Sequence, residues 1–293
     1  MFTPRPQNPA LAIALMLLAT VFIAATTLLA KALGTGRLGP DLHPLQISQG
    51  RFLFGFLAVS LATLALRPRF HRPLWPLHVV RSVFGWGGVT LMFAAVAFIP
   101  LSDATAISFL NPVFAMILAI LFLGERVGPV RWSAAAIAFV GALILLRPGP
   151  ASFQPAALLA LAAAVVMVAE IACVKRLSGR EGPFQILLIN NAIGLSVASL
   201  AAYWVWQMPT GPQWAALAGI GVLMAAAQAC YVNAVARADA SLVVPFSYAT
   251  LVFAALYDLA VFGVVPDAVS VAGALVIVAG GALLAWREGR LRP

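Results

Sequence analysis

Of the 293 residues, 63% belong to the apolar and aromatic set AVILMFWYC, 9% are charged, and the mean hydropathy is +1.01. Soluble domains carry roughly 25% charged residues because their surface faces water, so this composition excludes a soluble enzyme, a nucleic-acid-binding domain and any large extramembrane domain. The formal charge of +9, from 18 Lys and Arg against 9 Asp and Glu, then belongs to loops that set membrane topology.

A spanning helix needs about 20 mainly apolar residues, and clusters of charged residues, Pro and Gly divide the chain into ten such segments. The first, residues 10–33, lacks the small-residue cleavage site of a secretory signal and reads as a spanning helix with Lys31 near its end. The second, 44–66, carries Gln49 and Arg51, and the third, 76–98, carries Arg81, Trp86 and Thr90. The fourth, 102–123, holds Ser108 and the pair Asn111-Pro112, with Glu125 and Arg126 just beyond it. The fifth, 129–146, has small residues Ala134, Ala138 and Gly141 at helical spacing. Glu170 lies in the sixth, 156–177, and Asn190 and Asn191 in the seventh, 184–206. The eighth, 213–236, carries Gln228, Tyr231 and Asn233, and the ninth, 241–264, carries Ser247, Tyr248, Tyr257 and Asp258. The tenth, 267–286, repeats the small-residue spacing with Gly273, Ile277 and Gly281, which serves either internal packing or a dimer face. Both cysteines, Cys173 and Cys230, sit in apolar runs, so neither a disulfide framework nor a metal-ligand spacing is present.

Thirteen loop cations lie on the side of the N-terminus and three, Lys31, Arg37 and Arg147, on the other. The positive-inside rule therefore predicts that both termini are cytoplasmic. A shift of 139 residues lays Ser108-Phe109 and Val113-Phe114-Ala115 onto Ser247-Tyr248 and Val252-Phe253-Ala254, and pairs Gly55 with Gly194 and Gly141 with Gly280. Residues 1–150 and 151–293 thus read as two five-helix repeats, and five being odd, the second is inverted. The expected fold class is an all-α polytopic membrane protein of ten transmembrane helices in two inverted repeats, the plan of alternating-access transporters.

The stretches Asp103-Ala104-Thr105-Ala106, Asn111-Pro112-Val113-Phe114-Ala115 and Phe122-Leu123-Gly124-Glu125-Arg126, with a Gly-containing helix to Gly141, resemble the repeat unit of the drug/metabolite transporter superfamily, EamA type. A second copy runs from Asp239-Ala240-Ser241 to Gly280-Gly281, with Val264 where the first has Glu125. The resemblance implies a central cavity between the halves, lined by helices one to four and six to nine, in a bacterial inner-membrane exporter of small metabolites. Amino acids, with the aromatic amino-acid exporters as nearest analogue, are the leading substrates; cationic drugs, nucleosides or vitamins are the alternative.

Polar side chains within spanning segments are expensive and usually face the bundle interior. The candidate substrate-binding residues are Trp86, Ser108, Asn111, Glu170, Asn190, Gln228, Tyr231, Ser247 and Tyr248. At 1.5 Å per residue, Arg51 and Asp258 lie at similar depth below the same face, which suggests a gating or clamping ion pair; Arg51 binding a substrate carboxylate is the alternative. Glu170 either pairs with Arg81 or binds an ammonium group or proton. Glu125 reads as a solvated helix-end charge, Asn111-Pro112 as a kink, and Trp86, Tyr231 and Tyr248 as an aromatic wall or plain filling. There is no Walker A sequence, and His43, His71 and His78 fall at loops or helix ends without a nucleophile-base pairing, so neither ATP hydrolysis nor an intramembrane enzyme is expected. No cofactor is called for; the expected partners are a small-molecule substrate and the bilayer, with no nucleic acid, and the protein is a monomer or homodimer.

Overall fold

The computed structural model describes residues 8–111, 113–114, 117, 129–146, 154–178, 180–235, 237 and 244–290. Ten α-helices, and no strand, have described bounds. They are α1 (Pro9–Gly34), α2 (Pro44–Leu66), α3 (Trp75–Phe98), α4 (Leu101–Ser108) and α5 (Pro129–Leu146) in the first half. The second half has α6 (Ala157–Ser178), α7 (Pro183–Ala202), α8 (Gly211–Val235), α9 (Ala249–Tyr257) and α10 (Ala268–Arg290). Among the described residues, five stretches are long and apolar enough to cross a bilayer, in α1, α2, α3, α7 with the turn after it, and α8. Shorter apolar stretches lie in α5, α6 and α10 and across α9.

Helix starts follow local chemistry. Asn8 caps α1 by accepting from the Leu11 N–H at 3.0 Å, and α1, α2, α3 and α7 each carry proline in the first turn, where the missing N–H removes no helical bond. α2 ends at Arg67 in the left-handed conformation.

Two of the expected spans are broken. α4 stops at Ser108, and the Phe109 and Leu110 amides bond only three residues back. A proline at 112 would clash with the carbonyl four residues earlier, which is that of Ser108; Pro112 itself lies outside the described residues. In the second half, a 3₁₀ turn (Val244–Tyr248) leads into α9, and a π turn (Asp258–Phe262) follows it, closing on Gly263 at φ 69°. Broken helices at matching places in two halves mark the substrate region in transporters built from inverted repeats.

Packing obeys a pseudo-two-fold. α1 lies along α8 and α3 along α6, while α2 meets α7 and α5 meets α10. Exchanging each helix with its counterpart in the other half maps this set onto itself. Ala138 and Gly141 of the fifth segment and Gly273 and Ile277 of the tenth thereby serve internal packing. A Cβ on Gly141 would fall 2.7 Å from the Ile277 nitrogen and 2.8 Å from the Gly273 carbonyl, so α5 and α10 touch backbone to backbone. The core is built of small and medium side chains such as Ala95, Ala138, Ala142 and Ile277, or Leu33, Ile47, Phe93 and Leu217. Large apolar residues including Leu64, Phe98, Leu200 and Leu275 face outward, and Tyr203 and Trp204 flank them at one end, as lipid and its interface require.

The helices run between two faces. One, called here the N-terminal face, holds Asn8, the 67–74 connection, Glu181 and Arg237, with the Asn8 amide bonded to the Arg237 carbonyl. The opposite face holds the connections 35–43, 99–100, 203–210 and 263–267.

Candidate functional site

Four helices that cross near the pseudo-two-fold carry the central polar cluster. Arg51 on α2 is buried, stacks over the Phe52 ring at 4.3 Å, and lies within electrostatic range of Glu170 and Arg81. Arg81 on α3 donates to the Ile186 carbonyl at 3.0 Å and stands 3.4 Å from the Glu170 carboxylate on α6. Gly85 makes room for that carboxylate, since a Cβ there would meet it at 3.0 Å. Gly88, one turn on, accommodates Met167 in the same way, so glycine spacing on α3 lets α6 approach closely enough to place Glu170 at the centre.

What distinguishes this cluster is how many of its polar atoms lack partners. Arg51 Nε and Nη1, Arg81 Nε, Ser82 Oγ, Trp86 Nε1 and Asn190 Oδ1 are buried with no hydrogen-bond partner among the described residues. Buried polar groups are paired in the large majority of cases, and each unpaired one costs about 1–3 kcal/mol. A concentration of them on α2, α3 and α7 therefore marks a place where another molecule completes the bonding. Arg51 also lines a cavity of about 10 Å³ with Gly55, Asn191, Gly221, Met224, Ala225 and Gln228, roughly the space one water molecule needs. The helices pinch around it because Gly221 lies against the Phe54–Gly55 backbone, and a Cβ there would come within 2.6 Å of the Gly55 nitrogen.

Of the expected site residues, Gln228 lines the cavity with Arg51 and Glu170 stands beside Arg81, while Trp86 on α3 and Asn190 on α7 each carry one of the buried, unpartnered atoms. A second group gathers at the broken helices. Phe109 and Tyr248 meet in a tilted arrangement with ring centroids 4.7 Å apart, Ser108 donates to the Thr105 carbonyl, Thr250 donates to the Ser247 carbonyl, and Asn111 Oδ1 is buried with no partner among the described residues. Tyr231 extends the Gly221, Met224, Ala225, Gln228 stripe of α8 by three residues toward the N-terminal face and is 45% exposed. Glu125 lies outside the described residues.

One expectation is corrected. Asp258 pairs with Lys31 at 2.5 Å, not with Arg51, and its second oxygen accepts the Leu101 N–H that starts α4. Lys31 also sits over the Phe262 ring at 4.6 Å. Equal depth placed Arg51 and Asp258 together in the sequence, but depth carries no information about which helices are neighbours. α9 packs on α1 and α4, whereas α2 packs on α7 and α8. Beside this pair, Ser270 donates to the buried carboxylate of Asp103 at 3.0 Å, a residue the sequence marked only as part of a motif. Lys31 was counted only as a loop charge; its signal was an opposite charge, Asp258, just inside the same end of another segment.

At the N-terminal face the buried His78 Nε2 lies 2.8 Å from Glu181, which also accepts from the Leu74 N–H and from Gln185. His78 lies at a helix end, as the sequence suggested, but it is buried there against Glu181. At the opposite face, the amides of Gln46, Gln207 and Gln213 bond to carbonyls of residues 207, 41 and 40. Among the described residues no group of three or more His, Cys, Asp or Glu could hold a metal.

An all-helical bundle with twofold-related halves, paired broken helices and a partly unsatisfied polar centre defines a polytopic transporter. The sequence pattern of the EamA-like transporter family matches residues 10–147 and 154–286, and the chain belongs to that family. It is 34% identical to a riboflavin transporter of Vibrio cholerae over 79% of each chain. It is also 26% identical to an S-adenosylmethionine uptake transporter of Rickettsia bellii, over 93% of this chain and 92% of that one. A pseudopaline exporter of Pseudomonas aeruginosa is 30% identical over 69% of this chain and 72% of its own. A crystal structure with 21% identity superposes with a TM-score of 0.63, covering 98% of this chain and all of the other, and shares the fold.

Proposed function

We propose that this chain is a secondary transporter of a small metabolite bearing an amino-acid group, moved by alternating access through the space between the two halves. The observation that supports it is the central cluster of buried, unpartnered donors around one carboxylate. Arg51 offers Nε–H and Nη1–H to a carboxylate; Glu170, held only loosely by Arg81 at 3.4 Å, offers its oxygens to an ammonium group; and Trp86 offers a ring face and an N–H to the remainder. Two guanidiniums against one carboxylate leave the centre one positive charge in excess, which favours a substrate that brings a carboxylate as well as an amine. In the bacterial inner membrane, where the loop cations predict both termini to be cytoplasmic, export is the direction that the family resemblance suggests. The named relatives include both uptake and export proteins, so flux is best measured both ways.

A second reading has its own support. Two relatives of similar identity, from Vibrio cholerae and Rhizobium johnstonii, are named riboflavin transporters, and a planar ring system would use Trp86 and the amides of Asn190, Asn191 and Gln228 without the charges. Purified protein in liposomes, tested for flux of radiolabelled amino acids, riboflavin, nucleosides and cationic dyes, separates the two. Amino-acid flux supports the charge-based reading. Riboflavin flux that amino acids do not inhibit overturns it in favour of the second.

A further inference from the structure

Two contacts at opposite faces of the molecule are copies of each other. At the far face, Gln46 Nε2 donates to the Gln207 carbonyl at 2.6 Å and the Gln207 N–H donates back to Gln46 Oε1 at 3.2 Å. At the N-terminal face, Gln185 Nε2 donates to the His71 carbonyl at 2.9 Å and the His71 N–H donates back to Gln185 Oε1 at 2.7 Å. Each side-chain amide grips one peptide with both of its ends. Both glutamines are buried.

The sequence repeats with the geometry. Gln46 stands in Pro44-Leu45-Gln46-Ile47 and Gln185 in Pro183-Phe184-Gln185-Ile186, 139 residues apart, the same shift that relates the two halves. Each is the third residue of a helix that opens on proline, α2 or α7. Each gripped residue lies four positions before the third helix of the opposite half, Gln207 before α8 and His71 before α3. The first half thus holds the second at one face, and the second holds the first at the other.

We infer that Gln46 and Gln185 are the paired gating residues of this transporter, each closing one face by clamping the peptide of the opposite half. The inference rests on the alternating-access reading above but not on any choice of substrate. With both clamps made, the cavity at the centre is only about 10 Å³. A fold whose halves are interchangeable opens one face by breaking one copy of this contact while keeping the other, so the two glutamines act in opposite directions on the same equilibrium. A static tether would be lost with equal effect at either site.

The test reads sidedness. Ala225, which lines the central cavity, becomes the reporter as Ala225→Cys in a protein with Cys173→Ser and Cys230→Ser. A membrane-impermeant maleimide is then applied from one side or the other of proteoliposomes whose orientation is fixed by the accessibility of an N-terminal tag. Gln46→Met and Gln185→Met keep side-chain length and remove the clamp. Losing a two-bond clamp is expected to change the ratio of labelling from the two sides on the order of tenfold. Gln46→Met should raise labelling from the face of the 203–210 connection, and Gln185→Met from the N-terminal face. If either variant folds poorly, cross-linked cysteine pairs at 46 and 207, or at 71 and 185, replace the clamp covalently and should leave the reporter reachable only from the other face. Mirrored shifts uphold the assignment. Shifts in the same direction, no shift, or a reporter reached from one face in every form overturn it, whereas a failed substrate panel leaves it untouched.

Discussion

The ion pair between Lys31 and Asp258 allows a quantitative check on how the far face is held. Its side chains are 9% and 1% exposed, so neither charge is solvated if the other is removed. Pairing is the usual condition for keeping an ionised group at such a site, and removing one partner of a buried pair costs about 3–5 kcal/mol because the survivor is stranded. Among the described residues, Lys31→Met leaves the Asp258 carboxylate with the Leu101 N–H alone and should fall in that range. Asp258→Asn keeps an oxygen for that N–H but strands the ammonium over the Phe262 ring at 4.6 Å, and it should cost somewhat less. The double variant removes both charges together and is expected to recover about 2 kcal/mol or more of the summed loss, since replacing a whole buried pair is often close to neutral. Unfolding of the four proteins in mixed micelles, titrated with a denaturing detergent and followed by far-UV circular dichroism, gives the double-mutant cycle. Additive losses, or single-variant losses under about 0.5 kcal/mol, would refute the buried-pair account and return Lys31 to the status of a loop charge.

Other expectations follow from the same geometry. Glu170→Gln keeps shape and removes charge at the centre, so flux in liposomes should drop about tenfold or more while the fold is retained; unchanged flux and an unchanged pH profile would take Glu170 out of the substrate site. Gly221→Ala forces a Cβ to within 2.6 Å of the Gly55 nitrogen, an overpacking that should cost about 1–3 kcal/mol in the same unfolding assay. Gly87→Ala meets only Val166 at 3.6 Å and should lose about 1 kcal/mol less than Gly221→Ala. A reporter enzyme active only outside the cytoplasm and fused after residue 293 should give no signal, and strong activity there would contradict the orientation drawn from the loop cations.

Much of the fold was readable in the sequence because lipid leaves few choices. A spanning segment must satisfy its own backbone, so apolar length and punctuation locate helices directly, and the ten segments correspond in order to α1 through α10. The breaks in the fourth and ninth segments were only partly readable. Asn111-Pro112 announced the first, whereas the π turn at Asp258–Phe262 has no local sequence signal beyond Gly263. Among polar residues, depth was legible and neighbourhood was not. Glu170 and Arg81 were rightly offered as a pair because both sit near one face of helices that turned out adjacent. Arg51 and Asp258 satisfied the same criterion on helices that pack elsewhere. His78, Glu181 and Gln185 escaped because each lies at or beside a segment end, where a polar residue ordinarily needs no explanation; only the fold shows that all three are buried, with His78 and Gln185 both bonded to Glu181.

The distribution of charge across the three layers gives the proposed cycle its physical logic. The far face is held by a fully formed ion pair, Lys31 with Asp258, and at the N-terminal face Glu181 accepts from the Leu74 N–H and from Gln185 and lies 2.8 Å from His78 Nε2, so the carboxylate at each face already has its partners. The centre is not matched: Arg51 and Arg81 share Glu170, and donors on α2 and α3 and an acceptor on α7 remain unused. A ligand changes a conformational equilibrium only by binding one state better than another. Matched end layers respond weakly to substrate, whereas an unmatched centre can bind the substrate more tightly in whichever geometry lets Arg51 and Glu170 both reach it. In the proposed cycle the substrate acts on α2, α3 and α6 at the middle of the bundle, and α2 and α3 also begin at or just after the glutamine clamps. On that proposal, filling the centre is coupled, through α2 and α3, to which of the two faces stays closed.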